Sequence, residues 1–324
     1  MMEKIRIGVL STAKIGRVYV IPAMQKSKRV SVTAIASRNL DRAKETAKKL
    51  GIATAYGSYE ELLASPNIDA VYIPLPNHMH VEWSIKSLEA GKHVLCEKPI
   101  GMDAEDARKL KAASQKYPGL KVMEAFMYRH HPRWKRVVEI VNSGELGDIK
   151  SVHSFFSYYN DDPENYRNSA EMGGGGLMDI GCYSISVARL IFGREPDEVH
   201  GFSEYDPEFG VDRLTSGLMS FGSGTSVFTC STQCYKDQYV KIYGTKGMME
   251  LDWPFNPDFS KDTALTIKVG NDERVETFGP CDHFTLQTEE FAHAILTDSP
   301  VRISLDDSIG NMEVIDRVRG SAAV

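Results

Sequence analysis

The feature that most constrains this chain is the regular alternation of short apolar runs and helix-forming stretches over its first third. Residues 5–10 read as a strand, and a turn of small residues follows directly, leading into a helix that runs to about residue 24. Residues 30–37, rich in β-branched side chains, read as a second strand. Residues 40–50 are dominated by Ala, Lys, Arg and Glu and stop at Gly51, a helix with its C-terminal glycine. The pattern repeats with helices at 60–64, 81–90 and 104–116 and strands at 70–74, 93–96 and 121–125. Strands separated by helices of this length pair in parallel through right-handed crossovers. Sheets of that kind bind nucleotides beyond the carboxyl ends of their strands, which singles out the loops at residues 11–16, 37–38, 75–80 and 97–101.

Past residue 126 the texture changes. Helical segments are expected at 131–142 and 177–192. Alternating strand patterns occupy 151–159, 198–205, 214–221, 226–234, 238–243, 248–252 and 265–269, separated by glycine-rich turns, and short helices close the chain at 292–296 and 309–318. Strands in succession without crossover helices make an antiparallel or mixed sheet. The expected fold is therefore α/β: a doubly wound parallel sheet in residues 1–125, then an α+β domain with one large, open, mostly antiparallel sheet in residues 126–324. A length of 324 residues suits two domains.

Composition removes several classes of function. With 38 Lys and Arg against 44 Asp and Glu, the net charge is −6, which argues against a broad nucleic-acid face. No apolar run approaches the ~20 residues needed to span a bilayer, and the first run, interrupted by Arg6, reads as a strand rather than a signal peptide. The five cysteines are scattered, without a CxxC pair, so neither a disulfide framework nor a zinc knuckle is expected. Cys230 and Cys234 fall in one strand pattern and are expected on one face. A reduced cytoplasm is the expected location.

The turn after the first strand is Ser11-Thr12-Ala13-Lys14-Ile15-Gly16. A dinucleotide fold places G-x-G-x-x-G there, so that backbone N–H groups reach the pyrophosphate. Ser11 and Ala13 stand at the first two glycine positions and only Gly16 remains. Both substitutes are small, so the segment reads as a phosphate turn, the bland alternative being an ordinary strand–helix turn. The second strand ends at Ser37-Arg38, where an NAD-binding chain carries an acid for the ribose hydroxyls. A hydroxyl and a planar cation suit a 2′-phosphate instead, so NADP is expected, with NAD as the alternative; a solvated arginine opening a helix is the other reading of Arg38.

The fourth strand delivers Glu97-Lys98-Pro99 to the carboxyl edge. An ammonium there can hold a substrate hydroxyl and favour a developing alkoxide, and the Lys98–Pro99 bond is a candidate for cis. Gly173 to Gly176 are a poor core and a poor helix, and make sense only if another backbone or a ligand lies against them. Behind them Asp179 and Tyr183 share a helical face at i and i+4, a carboxylate beside a phenol that suits proton transfer. The alternative is a helix-dipole Asp and a half-buried structural Tyr. His78, His80, His130 and His131 lack partner acids at ligand spacing, so no metal is expected.

Taken together these segments resemble the glucose–fructose oxidoreductase / inositol dehydrogenase / rhizopine-catabolism (Gfo/Idh/MocA) family. The carriers are the Ser11–Gly16 turn, Pro74-Leu75-Pro76-Asn77-His78-Met79-His80, Glu97-Lys98-Pro99, the string from Glu124 to Pro132, and the glycine run with Asp179 and Tyr183. The resemblance spans nearly the whole chain. It implies a Rossmann first domain and a second domain whose free sheet face often pairs subunits, hence a homodimer or homotetramer. It also implies Lys98 as the active-site lysine, Tyr183 as acid/base and Asp179 as its companion. Leu75, Pro76, Asn77, His80, Glu97 and Lys98 are then expected on the cofactor, and Tyr128, Arg129 and Tyr159 beside the substrate. Tyrosine at 183 is similar to the branch holding NADP-linked xylose dehydrogenases and dihydrodiol dehydrogenases, with exchangeable cofactor. The implied activity is hydride transfer between the nicotinamide and a small sugar or polyol, an aldopyranose being favoured. Reduction of dicarbonyl sugars or oxidation of cyclic trans-diols is the alternative on the same scaffold, and a non-catalytic NADP-sensing regulator is the alternative from another class.

Overall fold

Residues 4–322 are described by a computed structural model; Met1, Met2, Glu3, Ala323 and Val324, at the outer ends of the two expected domains, lie outside the described residues. The chain forms two compact units. One runs up to Met127 and also takes in Asp282–Ile309; the other comprises Tyr128–Cys281 and the residues from Gly310 onward.

The first unit is built from β1 (Ile5–Leu10), α1 (Ile21–Lys26), β2 (Val30–Ala36), α2 (Leu40–Leu50), β3 (Thr54–Tyr56), α3 (Tyr59–Leu63), β4 (Ala70–Ile73), α4 (His80–Glu89), β5 (His93–Cys96), α5 (Ala104–Ser114) and β6 (Val122–Glu124). The six strands pair in parallel in the order β3-β2-β1-β4-β5-β6. The order runs outward in both directions from β1 and β4, the doubly wound arrangement in which ligands bind at the reversal point. β1 is apolar at almost every position because both of its faces are covered. The three-residue edge strand β3 carries too little pattern to read from sequence; it forms because β2 leaves an edge to pair, Ala34 with Thr54.

The second unit holds α6 (Pro132–Ser143), β7 (Ile149–Tyr159), α7 (Cys182–Phe192), β8 (Glu198–Tyr205), β9 (Asp212–Ser220), β10 (Thr225–Ser231), β11 (Gln233–Gly244), β12 (Gly247–Asp252), β13 (Thr263–Val269) and β14 (Asp272–Phe278). These eight strands form one sheet in the order β14-β13-β12-β11-β7-β10-β9-β8, antiparallel except where β7 meets β10. The expectation that residues 226–234 form one strand is corrected: the chain turns at Thr232, so buried Cys230 lies on β10 and half-buried Cys234 on β11. The charged sequence of β14 gives no apolar alternation, as suits an edge strand, and Lys268 pairs with Glu273 across it at 2.9 Å.

α8 (His283–Thr297) is much longer than the expected 292–296, because Asp282 caps it, accepting from Phe284 N and Thr285 N. It packs in the first unit, where Phe284 meets Tyr19 at 6.1 Å between ring centroids and Glu289 accepts from Ser27. α9 (Leu305–Ala322) then carries the chain back to the second unit.

The large sheet has one covered and one open face. On the open face Phe155, Phe202, Leu218, Val227 and Tyr239 line a shallow groove of about 410 Å³, and Phe202 is 66% exposed. No helix among the described residues is long and apolar enough to cross a membrane.

Candidate active site

In the first unit the four loops singled out by the sequence leave the carboxyl ends of β1, β2, β4 and β5. Ser11 follows β1 with φ +139°, a backbone conformation that strongly favours glycine. Its Oγ accepts from Ala13 N at 2.9 Å, so the serine takes the glycine's conformation and partners a backbone donor at the turn. Arg17 Nε donates to Thr12 O at 2.8 Å and braces the turn. Behind it Lys14, Ile15 and Gly16 begin the helical run, at the stage where a helix leaves N–H groups without an i−4 partner. A π-turn, Gly16–Val20, precedes α1; such turns are frequent at functional sites.

At the end of β2, Ser37 is buried and its Oγ accepts from Asn39 N at 3.2 Å, while Arg38 is exposed. Burial raises the Tyr59 hydroxyl above the usual phenol range, and the Arg38 guanidinium beside it offsets part of that rise. After β4, Leu75 and Asn77 are buried and Pro76 is half-buried.

His80 is fully buried; its Nδ1 lies 2.7 Å from Pro99 O and its Nε2 2.8 Å from Leu75 O. That corrects the expectation of His80 as a cofactor contact: both ring nitrogens face backbone carbonyls, so the ring ties the loop after β4 to the one after β5. Burial, outweighing those carbonyls, lowers its pKa to about 4. Tyr72 Oη donates to Glu97 Oε1 at 2.6 Å, Lys98 is half-buried, and the Lys98–Pro99 peptide is cis.

In the second unit the helix bearing Asp179 and Tyr183 starts from the glycine run. What lies against those glycines is protein. A Cβ at Gly174 would stand 2.2 Å from Arg167 O, and one at Gly175, where φ is +104°, 2.1 Å from Asp212 Oδ1. Asp212, on β9, accepts from Leu177 N at 2.7 Å and from Thr215 Oγ1 at 2.9 Å. It caps this helix from 35 residues away in sequence. Burial raises its carboxyl to about 6, against the pull of those two donors. Another π-turn, Leu177–Gly181, leads into α7. At Gly181 a Cβ would meet Cys230 Sγ at 2.9 Å, so glycine lets β10 pass close by.

The expected shared face of Asp179 and Tyr183 exists, and β7 reads it out at alternate residues. Ser154 Oγ bonds Ser184 Oγ at 2.9 Å, the Phe156 ring lies 5.7 Å from that of Tyr183, and Tyr158 Oη donates to Asp179 Oδ2 at 2.6 Å. The period of two in a strand puts Tyr159 on the other face, 64% exposed. Tyr159, expected beside the substrate, thus lies on the face away from Asp179, and it is Tyr158 that meets Asp179. Asp179 Oδ1 is paired with Arg167 Nε at 2.9 Å. Burial opposes the Arg167 charge, yet Asp179, then Tyr166 and Tyr158, outweigh it and hold the guanidinium above its usual range.

Tyr183 is 4% exposed, its ring 5.2 Å from Phe255 and 5.9 Å from Tyr128. Phe255 is held there by α6: the Arg133 guanidinium donates to the carbonyls of Asp252, Trp253 and Ala264, and Trp134 Nε1 to that of Pro254 at 2.7 Å. His131 caps α6 by accepting from Arg133 N. Tyr128, expected beside the substrate, is fully buried with its Oη on Ser186 Oγ at 2.7 Å; it packs against Tyr183, which corrects that expectation. Arg129 is half-buried. The sequence reading missed Tyr158, Arg167 and Asp212. Strand alternation from Phe156 was a signal for Tyr158; nothing local marked the other two.

The pattern of the oxidoreductase family with an NAD-binding Rossmann fold matches residues 5–126, and that of the GFO/IDH/MocA C-terminal domain matches residues 134–250. An NADP-linked D-xylose 1-dehydrogenase of Haloferax volcanii is 41% identical, covering 97% of this chain and 96% of its own. The chain belongs to the GFO/IDH/MocA family. It is an NAD(P)-dependent oxidoreductase of sugar-related substrates. An uncharacterised oxidoreductase of Rhizobium meliloti is 43% identical over 99% of this chain and 98% of its own. Among solved structures, a 3-ketoreductase of Actinomadura kijaniata in complex with NADP and TDP-benzene superposes with a TM-score of 0.92 at 31% identity, covering 98% of each chain.

Proposed function

We propose that this enzyme oxidises an aldopyranose such as xylose at its anomeric carbon, with NADP as the preferred cofactor. The observation that carries the sugar assignment is the similarity, over almost the full length of both chains, to the D-xylose 1-dehydrogenase. The cofactor assignment rests on the end of β2, where exposed Arg38 stands in place of the ribose-binding acid. The residues fit NADP. Ser11 holds the glycine-type backbone of a phosphate turn and partners Ala13 N. The first-turn N–H groups from Lys14 to Gly16 and residues Ser37 and Arg38 would hold its phosphates, and Leu75 to Asn77 with Glu97 the nicotinamide end. Bound NADP supplies the hydride acceptor.

The chain's own residues do the rest. Tyr183 takes the proton of the anomeric hydroxyl as the C1–H bond breaks. Lys98 donates a hydrogen bond to that oxygen and stabilises its developing charge. Asp179, held by Arg167 and Tyr158, orients the sugar. The product is the aldonolactone. Arg129 is assigned to the rim of the sugar site.

The test is a panel of aldoses, polyols and cyclic diols followed by absorbance of the reduced nicotinamide, with NADP and NAD in parallel. NADP-dependent oxidation of an aldose is expected; turnover only of nucleotide-linked keto sugars or of cyclic diols overturns the substrate assignment. In the same assay Arg38→Ala is expected to raise KM for NADP by about 10- to 100-fold, the scale of a charged hydrogen bond, and KM for NAD by less than about threefold. Equal weakening of both shows that Arg38 does not touch the 2′-phosphate.

The open face of the large sheet pairs with a second copy, giving a dimer or tetramer in the cytoplasm. The support is the contiguous apolar set of Phe202, Leu218 and Val227 on one face, 66%, 44% and 37% exposed. Leu218→Glu is expected to shift the sedimentation mass toward that of the monomer; a monomeric parent protein ends this part of the proposal.

A further inference from the structure

The helix that carries Asp179 and Tyr183 does not start as an ordinary α-helix. Its first turn, Leu177–Gly181, is a π-turn, and Gly176 before it has no side chain with which to cap it. A π-turn closes from residue i to i+5 and so holds one residue more than an α-turn. Relaxing it into α would turn Asp179 about the helix axis relative to Tyr183. Asp179 would then shift against β7, where Tyr158 Oη donates to its Oδ2 at 2.6 Å and the Phe156 ring lies 5.7 Å from that of Tyr183. The start of this helix has to be fixed from outside it.

Asp212 of β9 is the group that meets it. Its Oδ2 accepts from Leu177 N at 2.7 Å and from Thr215 Oγ1 at 2.9 Å. Its Oδ1 faces Gly175, where a Cβ would stand 2.1 Å from it, and Gly175 O in turn accepts from Asp179 N at 3.0 Å. One carboxylate thus holds the turn at Leu177 and lies against the residue whose carbonyl holds Asp179. The N-terminal end of a helix favours negative charge, so the ionised carboxylate holds the turn more firmly than a neutral group. That charge stands against its surroundings. Burial raises the carboxyl to about 6, while Leu177 N, Thr215 Oγ1 and the Arg319 charge from α9 pull the other way. Cys230 of β10 also packs here; burial, with Asp212, Cys182 and Asp179 adding to it, raises its thiol well above the usual range and keeps it neutral.

We infer that Asp212 is a positioning residue of this enzyme: its ionised carboxylate fixes the π-turn from a neighbouring strand, sets where Asp179 and Tyr183 stand, and makes turnover depend on that charge. The inference rests on the reading of Asp179 and Tyr183 as the reacting pair and deepens it. Asp212 acts through the helix rather than on the substrate.

The test is Asp212→Asn, assayed beside the parent and Tyr183→Phe on the substrate that the panel above identifies. Asparagine keeps an acceptor for Leu177 N and loses the charge. At about pH 8 its kcat is expected to fall about 10- to 100-fold, the scale of a small misplacement of reacting groups, with NADP affinity by calorimetry within about twofold of the parent's. The parent's kcat is expected to fall as the pH drops through about 6, where the carboxyl takes up its proton, and the variant to lack that step. Stability moves the other way. A carboxyl raised from its unfolded value of ~3.9 costs stability above the raised value, and the cost is gone below the unfolded one. The melting temperature of Asp212→Asn at about pH 8 is therefore expected to equal or exceed the parent's, whereas a merely structural cap would lower it. Turnover within about threefold of the parent, or a retained acid step, overturns the inference. If Asp212→Asn melts below the parent, Thr215→Val decides. It removes one donor to the ionised carboxylate, so the acid step is expected about one pH unit higher, and an unmoved step overturns the inference. If Tyr183→Phe is as fast as the parent, the reading of the reacting pair falls and the inference with it; if Tyr183→Phe is slow and Asp212→Asn is not, the inference alone falls.

Discussion

Tyr183→Phe is expected to lower kcat for sugar oxidation by about 10²- to 10⁴-fold, the usual yield of a positioned acid/base, while affinity for NADP stays within about twofold. The substitution is clean. The Tyr183 ring is packed by Phe156, Phe255 and Tyr128, contacts that phenylalanine keeps, so what leaves is one oxygen and the proton path through it. Steady-state rates with C1-deuterated sugar are the measurement. The variant is expected to show the full primary isotope effect. A variant that turns over within threefold of the parent removes Tyr183 from the chemistry.

Lys98→Met is expected to cost about 10³-fold in kcat, at the upper end of what one lost donor to a developing oxyanion costs. Methionine keeps an unbranched stem and removes the ammonium. Lys98 leaves β5 within a braced segment: Glu97 accepts from Tyr72, and Pro99 O lies against buried His80. The loop is therefore expected to hold its path, with NADP binding by calorimetry little changed. Retained turnover, or loss of NADP binding in step with turnover, would show that the lysine serves the cofactor rather than the substrate oxygen. Combining the two substitutions separates the roles further. If both side chains act on one oxygen, the double variant is little slower than the worse single one, because groups that act as a unit are not additive; multiplied losses point to two oxygens.

Much of the first unit was legible in the residues. Alternation of β1, β2, β4 and β5 with helices ended by Gly51 and Gly91 left one architecture open, and the site loops followed from it. The misses there have local causes. β3 is three residues long, and His80 looked like a loop residue because sequence does not show that two carbonyls enclose it.

The second unit was legible as strands but not as partners. Tyr158 and Tyr159 are chemically identical and adjacent, and only the parity of β7 against α7 decides which one meets Asp179. Tyr128 looked like a substrate contact until its hydroxyl was placed on Ser186. Cys96, Cys182 and Cys230 are packed in the cores as buried thiols, a role that apolar patterning shows without naming their neighbours.

What the amino-acid sequence determined by itself was the local grammar: where strands and helices form, which loops a parallel sheet offers to a dinucleotide, and that Asp179 and Tyr183 lie one turn apart on a helix. Those properties depend on neighbours within a few residues, where periodicity and turn chemistry act. What the tertiary structure alone decided was which distant groups complete that helix: Asp212 as its cap, Arg167 on Asp179, and Phe255 against Tyr183. A carboxylate 35 residues away is selected by burial and by the donors it meets there, and no periodicity along a chain encodes which of many carboxylates will be brought to them.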